Sequence, residues 1–329
     1  MVMEELKKEA LPPPPGLIAS LAAGFDTTAS HAGVILIPML LDLFLWLGPH
    51  LRIELILKPF VAAFQALPAS PEATMTQDIV RQFAHEFNLY HVLRTLPVGI
   101  PSLLAGTMPL TNPFGSAVWV EYQTTMQFMG WWIVLTLTGW VGGGVYYKWI
   151  SDVTQPVKND ASLRHTARAV WQTIVLSVMW IVVALMVAIP SAMLLGTLAL
   201  FSAGLAQFVM LIGLFFFLWM LPAIFFSAHG IFTYEQTAFA SLLSSLRMMR
   251  FTLPASGLFI LSAFLISQGL TLLWQVPPTN SWMTLVGIAG HAFISSALIA
   301  ASFVYYRNVN SWLQQVMEKF KTQATSVRA

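Results

Sequence analysis

AVWQTIVLSVMWIVVALMVAIPSAMLLGTLALFSAGLAQFVMLIGLFFFLWMLPAIFFSAHGIFTY, residues 169–234, contains no Asp, Glu, Lys or Arg. The hydrocarbon core of a bilayer is about 30 Å thick, and a helix needs about 20 apolar residues to cross it. The stretch is therefore long enough for two crossings and a turn. Lipid offers no partner to an exposed N–H or C=O, so a spanning segment must satisfy its own backbone, which selects helices. Three further stretches lack charge: 95–120, 122–147 and 251–306. The last is again long enough for two spans.

Composition extends this reading to the whole chain. Of 329 residues, 57% are hydrophobic and 9% are charged, against about 25% charged in soluble domains. Mean hydropathy is +0.72. The expected fold class is all-α: an integral membrane bundle of about six transmembrane helices with short cytoplasmic amphipathic helices. Spans are expected near 32–49, 125–148, 170–195, 203–228, 254–275 and 283–306. Turns are expected at Gly196-Thr197 and at Pro277-Pro278-Thr279-Asn280-Ser281. Residues 1–15 read as a solvated tail with a proline spacer, Pro12 to Pro15. Residues 16–306 form one membrane domain with an outer loop at 50–121. Residues 307–329 read as a cytoplasmic amphipathic helix and tail.

Orientation follows from the basic residues. With both termini and the loops 149–169 and 229–253 on one side, that side carries Lys7, Lys8, Lys148, Lys158, Arg164, Arg168, Arg247, Arg250, Arg307, Lys319, Lys321 and Arg328. The other side carries Arg52, Lys58, Arg81 and Arg94. The positive-inside rule makes the first side cytoplasmic, in the cell membrane. Trp46, Trp149, Trp274 and Trp282 fall near span ends, where an aromatic belt would lie.

Several local patterns add detail. The run from Ala19, ASLAAGFDTTASHAGVILIPMLL, matches the run from Ala240, ASLLSSLRMMRFTLPASGLFILSAFL, and a looser copy starts at Ala161. Each reads as a short interfacial helix leading into a span, in units 16–149, 158–228 and 233–306. Such helices would set Arg164 and Arg168, and Arg247 and Arg250, against anionic headgroups. In the outer loop, Ile79, Val80, Phe83, Phe87, Tyr90 and Leu93 recur at helical spacing, predicting an amphipathic helix. The segment 95–110 is interrupted by Pro97, Pro101 and Pro109 and reads as interfacial or re-entrant. Pro190 and Pro222 would kink their spans. Gly139 and Gly143 form a G-x-x-x-G packing face.

Asp42 is the candidate polar site within the first span. An Asp at a helix centre costs about 2.5–3.5 kcal/mol on insertion scales, so it faces the bundle interior or water. It reads either as a proton or cation site or, structurally, as an interior hydrogen bond or a protonated acid. His229 and His291 could ligate metal or relay protons, but a single histidine more often packs with a hydrogen bond. His85, Glu86 and His91 lack the H-x-x-x-H spacing of a zinc helix. No metal, cofactor or catalytic set is expected: cysteine is absent, and there is no nucleotide fingerprint or nucleophile elbow. A net charge of +2 without a basic run gives nucleic acid no footprint. The expected partners are the lipid bilayer and a membrane protein or a second copy of the chain.

The stretch LPAIFFSAHGIFTYEQTAFASLLSSLRMMRFTLPASGLFILSAFL, residues 221–265, resembles one in bacterial polytopic membrane proteins related to the membrane domain of some glycerophosphodiester phosphodiesterases. The likeness covers about half the chain. The shared form is a span ending in Pro and small residues, then Glu235, Ala238, Leu242 to Ser245, and Arg247 or Arg250, then the next span. It implies the six-span plan with cytoplasmic amphipathic helices and carries over no catalytic residue. Together these features predict a non-enzymatic protein that organises proteins or lipids at the cytoplasmic membrane. The alternative is a transporter or permease for a lipid or small solute.

Overall fold

The computed structural model describes residues 13–65, 78, 87–106, 109, 111–155 and 162–326. Helix α1, Leu17–Ser30, leads through a 3-10 turn at Ala32–Ile35 into α2, Leu36–Leu47. A short strand β1, His50–Arg52, and α3, Glu54–Gln65, follow. Single 3-10 turns lie at Leu89–Leu93 and Leu104–Gly106. Strands β2, Thr111–Asn112, β3, Gly115–Ser116, and β4, Trp119–Glu121, complete the outer segment. The remainder is helical: α4, Thr125–Thr154; α5, Leu163–Phe201; α6, Ala203–Phe226; α7, His229–Tyr234; α8, Ala238–Trp274; and α9, Thr284–Ser326.

Among the described residues, five helical stretches are long and apolar enough to cross a membrane: Thr125–Thr154, Leu163–Phe201, Ala203–Tyr234, Ala238–Trp274 and Thr284–Lys321. The first expected span is different. It belongs to a helix pair, Leu17–Ser30 and Ala32–Leu47, bent by 91°. At 1.5 Å per residue, the 12 residues of α2 rise about 18 Å. This is short of a full crossing, so the described residues hold five spans, or six if the bent pair counts as one.

Other expectations shift for local reasons. The break expected at Gly196-Thr197 falls instead at Ser202, where the backbone turns extended (φ −161°, ψ 118°). The Ser202 hydroxyl accepts the Leu205 N–H at 3.3 Å and caps α6. Helical geometry runs through Pro190 and Pro222; it lapses at Thr252 (φ −127°), two residues before Pro254. The C-terminal helix expected after residue 306 is continuous with the preceding span in α9. Ile79, Val80 and Phe83 lie outside the described residues. Tyr90 and Leu93 sit in a 3-10 turn rather than an α-helix, started by Asn88, whose side chain accepts the Tyr90 N–H. Trp46 is fully buried and is no belt residue, whereas Trp282 is exposed.

The chain divides into two compact units. The first takes in the described parts of Met1–His31, Lys148–Leu265 and Ala297–Ala329. Its core is aromatic: Phe226 stacks on Tyr305 and Tyr306, and Tyr305 on Phe259 at 4.4 Å. Around it, small buried residues recur four apart, and hence on one helix face. They are Ser20, Gly24 and Thr28 in α1, Ala169, Thr173 and Ser177 in α5, and Ser241 and Ser245 in α8. The copies from Ala19 and Ala240 bury equivalent positions, Ser20 with Ser241 and Gly24 with Ser245. The third copy buries a stripe that begins later, at Ala169.

The hydroxyls in that face complete the backbone. At the end of α6 the Ser227 N–H turns to the Ile224 carbonyl, leaving the Ala223 carbonyl free. Ser245 donates to it at 2.7 Å, and Ser241 donates to the Ser227 carbonyl at 2.6 Å. The orphan carbonyls of a helix end are thus met by α8.

The second unit takes in the described parts of Ala32–Tyr147 and Ile266–Ser296. Leu45, Trp46, Leu103, Leu104 and Ile288 form one core cluster. The Trp46 indole donates to the Thr279 carbonyl at 2.7 Å, which pins the proline turn before α9. Strands β1 and β4 pair in parallel, with the Arg52 guanidinium 3.4 Å from the Trp119 ring centroid. Gly139 and Gly143 do form a close-packing face, but onto irregular chain rather than another helix. A Cβ at Gly139 would meet the Leu93 carbonyl at 2.6 Å, and one at Gly143 the Val98 carbonyl at 3.0 Å.

Close approach of α1 to α9 also rests on a glycine. A Cβ on Gly24 would lie 2.5 Å from the Ala297 carbonyl and the Ala301 Cβ, whereas Gly213 has open space. Gly24→Ala is expected to cost about 1–3 kcal/mol through overpacking and to lower the melting temperature in detergent. Gly213→Ala is the control and should leave it unchanged; equal behaviour of the two variants would contradict this packing.

Candidate functional site

Asp42 lies fully buried at the middle of α2. Its Oδ1 accepts the Ser102 hydroxyl at 2.5 Å and the Leu104 N–H at 3.2 Å, and its Oδ2 accepts the Leu103 N–H at 2.9 Å. The Ser102 oxygen in turn accepts the Ala105 N–H at 3.0 Å. The carboxylate therefore caps the 3-10 turn Leu104–Gly106. Pro97 and Pro101 remove N–H groups and keep the preceding residues out of the helical region, so this segment cannot satisfy its own donors. Each buried donor left unmet costs about 1–3 kcal/mol.

His291 belongs to the same unit. Its Nε2 is 3.3 Å from the Ser295 hydroxyl and its Nδ1 is 3.5 Å from that of Thr271. The Arg94 guanidinium is within electrostatic reach of both His291 and Asp42, a link that sequence spacing could not reveal. Gln275 donates to the Leu103 carbonyl at 3.4 Å, adding a second tie to the irregular segment. His229 lies in the other unit. There it is enclosed by Phe225, Phe226, Phe303 and Tyr306, with Nε2 2.8 Å from the Ser302 hydroxyl. Its Nδ1 faces the Phe225 and Phe226 carbonyls without reaching hydrogen-bond geometry. The three polar residues singled out in the sequence thus do not form one site.

The first unit holds a polar cleft that the sequence did not indicate. It is lined by Lys148, His165, Arg168, Gln172, Glu235 and Gln236, with a floor wide enough for about one water. Lys148 is 7% exposed and is paired with Asp152 one turn on. The His165 ring N–H donates to Glu235 at 2.6 Å. Glu235 takes a left-handed conformation, φ 52°, as it ends α7. Gln172 accepts the Ala238 N–H at 2.8 Å and so caps the start of α8. All four arginines are exposed; Arg168 also lines the cleft, whereas Arg164, Arg247 and Arg250 do not. All four arginines precede the long apolar part of their helix. On α5, Arg168 stands beside the cleft.

Among the described residues, no three His, Asp or Glu side chains gather as a metal site. Comparison of the chain with family models, with curated proteins and with solved structures gave no match. The class the fold defines is a polytopic α-helical membrane protein.

Titration centres on the outer segment. Burial, with the nearby His50 and Arg94 charges, pushes His91 down to about 4. Burial is also the main cause that lowers His50. Arg52 acts in the same direction, and the bond to the Leu45 carbonyl opposes it. Both are harder to protonate in the fold than in the unfolded chain, which protonates near 6.5, so below that value the unfolded state binds more protons. Stability is expected to fall as pH drops from about 6.5 toward about 4. Melting temperatures of the wild type and of His91→Gln across that range test this. The variant should show a shallower fall, and an identical pH profile would contradict the assignment.

Proposed function

We propose that this chain is a non-enzymatic organiser of the cytoplasmic membrane, with α5 and α6 as the hairpin that docks the transmembrane helices of another protein. The carrying observation is that no residue between Val178 and Leu221 is buried. Of their apolar windows 17% and 11% are covered, against 28% for α4 and 56% for α9; α8, at 17%, matches α5, but buries residues such as Phe259, Ile260 and Ala263 within its span. The hairpin starts where the Trp180 indole donates to the Ser227 hydroxyl at 3.2 Å. From there to Ser202 each strand of the hairpin is long enough to cross the bilayer. Helices that are apolar all round need neighbours or lipid on every face. Small residues open to the outside, Gly196 and Gly213, offer close approach to a partner helix. The asymmetry of Lys and Arg supports cytoplasmic termini, and the resemblance of residues 221–265 to the phosphodiesterase-associated membrane domain supports the same plan.

One observation favours the transporter reading: Asp42, Arg94 and His291 share a unit. Against it, both Asp42 oxygens are engaged by donors fixed in the backbone and in Ser102, which leaves little capacity for a passing ion.

The absence of cysteine makes the test direct. Single variants Val187→Cys and Phe215→Cys on the hairpin, and Leu272→Cys on the exposed end of α8, would be labelled with a maleimide–benzophenone, whose photo-activated ketone inserts into C–H bonds of any neighbour, and irradiated in native membranes. The expected result is a discrete crosslinked species from the hairpin positions and none from Leu272→Cys. A species of twice the chain mass would identify the partner as a second copy. Absence of any discrete species from both hairpin positions would overturn the reading.

A further inference from the structure

A second feature of α5 concerns lipid rather than protein. Beyond the polar cleft, one face of the helix forms an open groove of about 420 Å³ lined by Trp171, Ile174, Val175, Val178, Met179 and Val182, among others. The cleft and the groove interleave on one helix. Arg168, Gln172, Val175 and Met179 fall four, three and four residues apart, a single stripe. Trp171, 61% exposed, stands at the junction, where an amphipathic ring suits the boundary of headgroup and acyl chain.

Charge points to the ligand. Lys148 is held by Asp152, and His165 by Glu235. Arg168 is the cation of the cleft for which no acidic partner is seen among the described residues. Its planar fork of donors suits a phosphate oxygen pair. The floor of the cleft is too small for a phosphate, but His165 and Glu235, 46% and 40% exposed, form an open mouth. A soluble phosphate would use that mouth alone. The apolar groove is lined by residues that follow Arg168 and Gln172 along α5, a sequence of polar then apolar surface that suits a molecule with a hydrocarbon tail.

We propose that a membrane glycerophospholipid occupies a defined site on α5, its phosphodiester at the cleft mouth against Arg168 and an acyl chain in the groove below. This extends the lipid half of the organising role, on which it rests. Its readout is separate, because a bound lipid is detected by mass and the hairpin partner by crosslinking. The adjoining Lys148–Asp152 and His165–Glu235 pairs fix the walls of the mouth, and Gln172 ties it to the start of α8. Lipid binding would thereby brace the base of the hairpin.

The test is native mass spectrometry of the protein released from nanodiscs of phosphatidylethanolamine and phosphatidylglycerol. The wild type is expected to retain one phospholipid under activation that strips the annular lipids. Arg168→Gln should lower the lipid-bound fraction about tenfold, the effect of losing a hydrogen bond to a charged group. Val182→Trp, at the exposed far end of the groove, should lower it too. Arg247→Gln, outside the cleft, should leave it unchanged; melting temperatures confirm that each variant is folded. Unchanged retention in Arg168→Gln overturns the site, and equal loss in Arg247→Gln reduces it to general surface charge. Displacement of the lipid by inorganic phosphate, with no effect of Val182→Trp, would assign the mouth to a soluble anion instead.

Discussion

Leu103 and Leu104 present their backbone N–H groups to the two oxygens of Asp42, and the second unit is arranged around that contact. A chain interrupted by Pro97, Pro101 and Pro109 cannot close its own hydrogen bonds as a helix does. Beside apolar spans, water does not relieve it either. The carboxylate supplies the missing acceptor from α2. The irregular segment can then lie against Gly139 and Gly143 of α4, where the absence of side chains lets its carbonyls approach. Leu103 and Leu104, once held, join Leu45, Trp46 and Ile288 in the core. One acid thus makes a proline-broken segment compatible with a membrane bundle.

The first unit solves the same constraint with hydroxyls. Helix α6 ends early on its Ile224 carbonyl, and Ser245 and Ser241 of α8 take up the carbonyls this leaves exposed. Small residues four apart on α1, α5 and α8 let the backbones close to that range. Both units therefore depend on polar groups placed to complete a backbone, and neither depends on a large hydrophobic core alone. By contrast, the hairpin of α5 and α6 satisfies its backbone internally and buries almost nothing. A self-sufficient element of that kind is free to meet lipid or another chain.

Much of the fold was legible because charge-free length is a strong signal. The five long helices and the turn at Pro277-Pro278 follow directly from the positions of the nearest charged residues. The turn at Ser202 was less legible, because glycine attracts attention while a capping serine among apolar residues looks ordinary. The 91° bend before α2 was hidden because apolar composition reports burial in lipid and not continuity. Asp42 stood out, yet its partners are about sixty residues away in sequence and include main-chain atoms, which leave no trace in side-chain identity. The cleft was hidden for a related reason. Lys148, His165, Arg168 and Glu235 come from three separate helix ends, and only folding brings them together.

The most direct measurement is amide hydrogen–deuterium exchange of the protein in lipid nanodiscs, followed at Leu103 and Leu104 in the wild type and in Asp42→Leu. The account predicts that both amides are protected in the wild type and exchange rapidly in the variant, while α8 and α9 keep their protection. Protection at Leu103 and Leu104 that survives the loss of the carboxylate would contradict it.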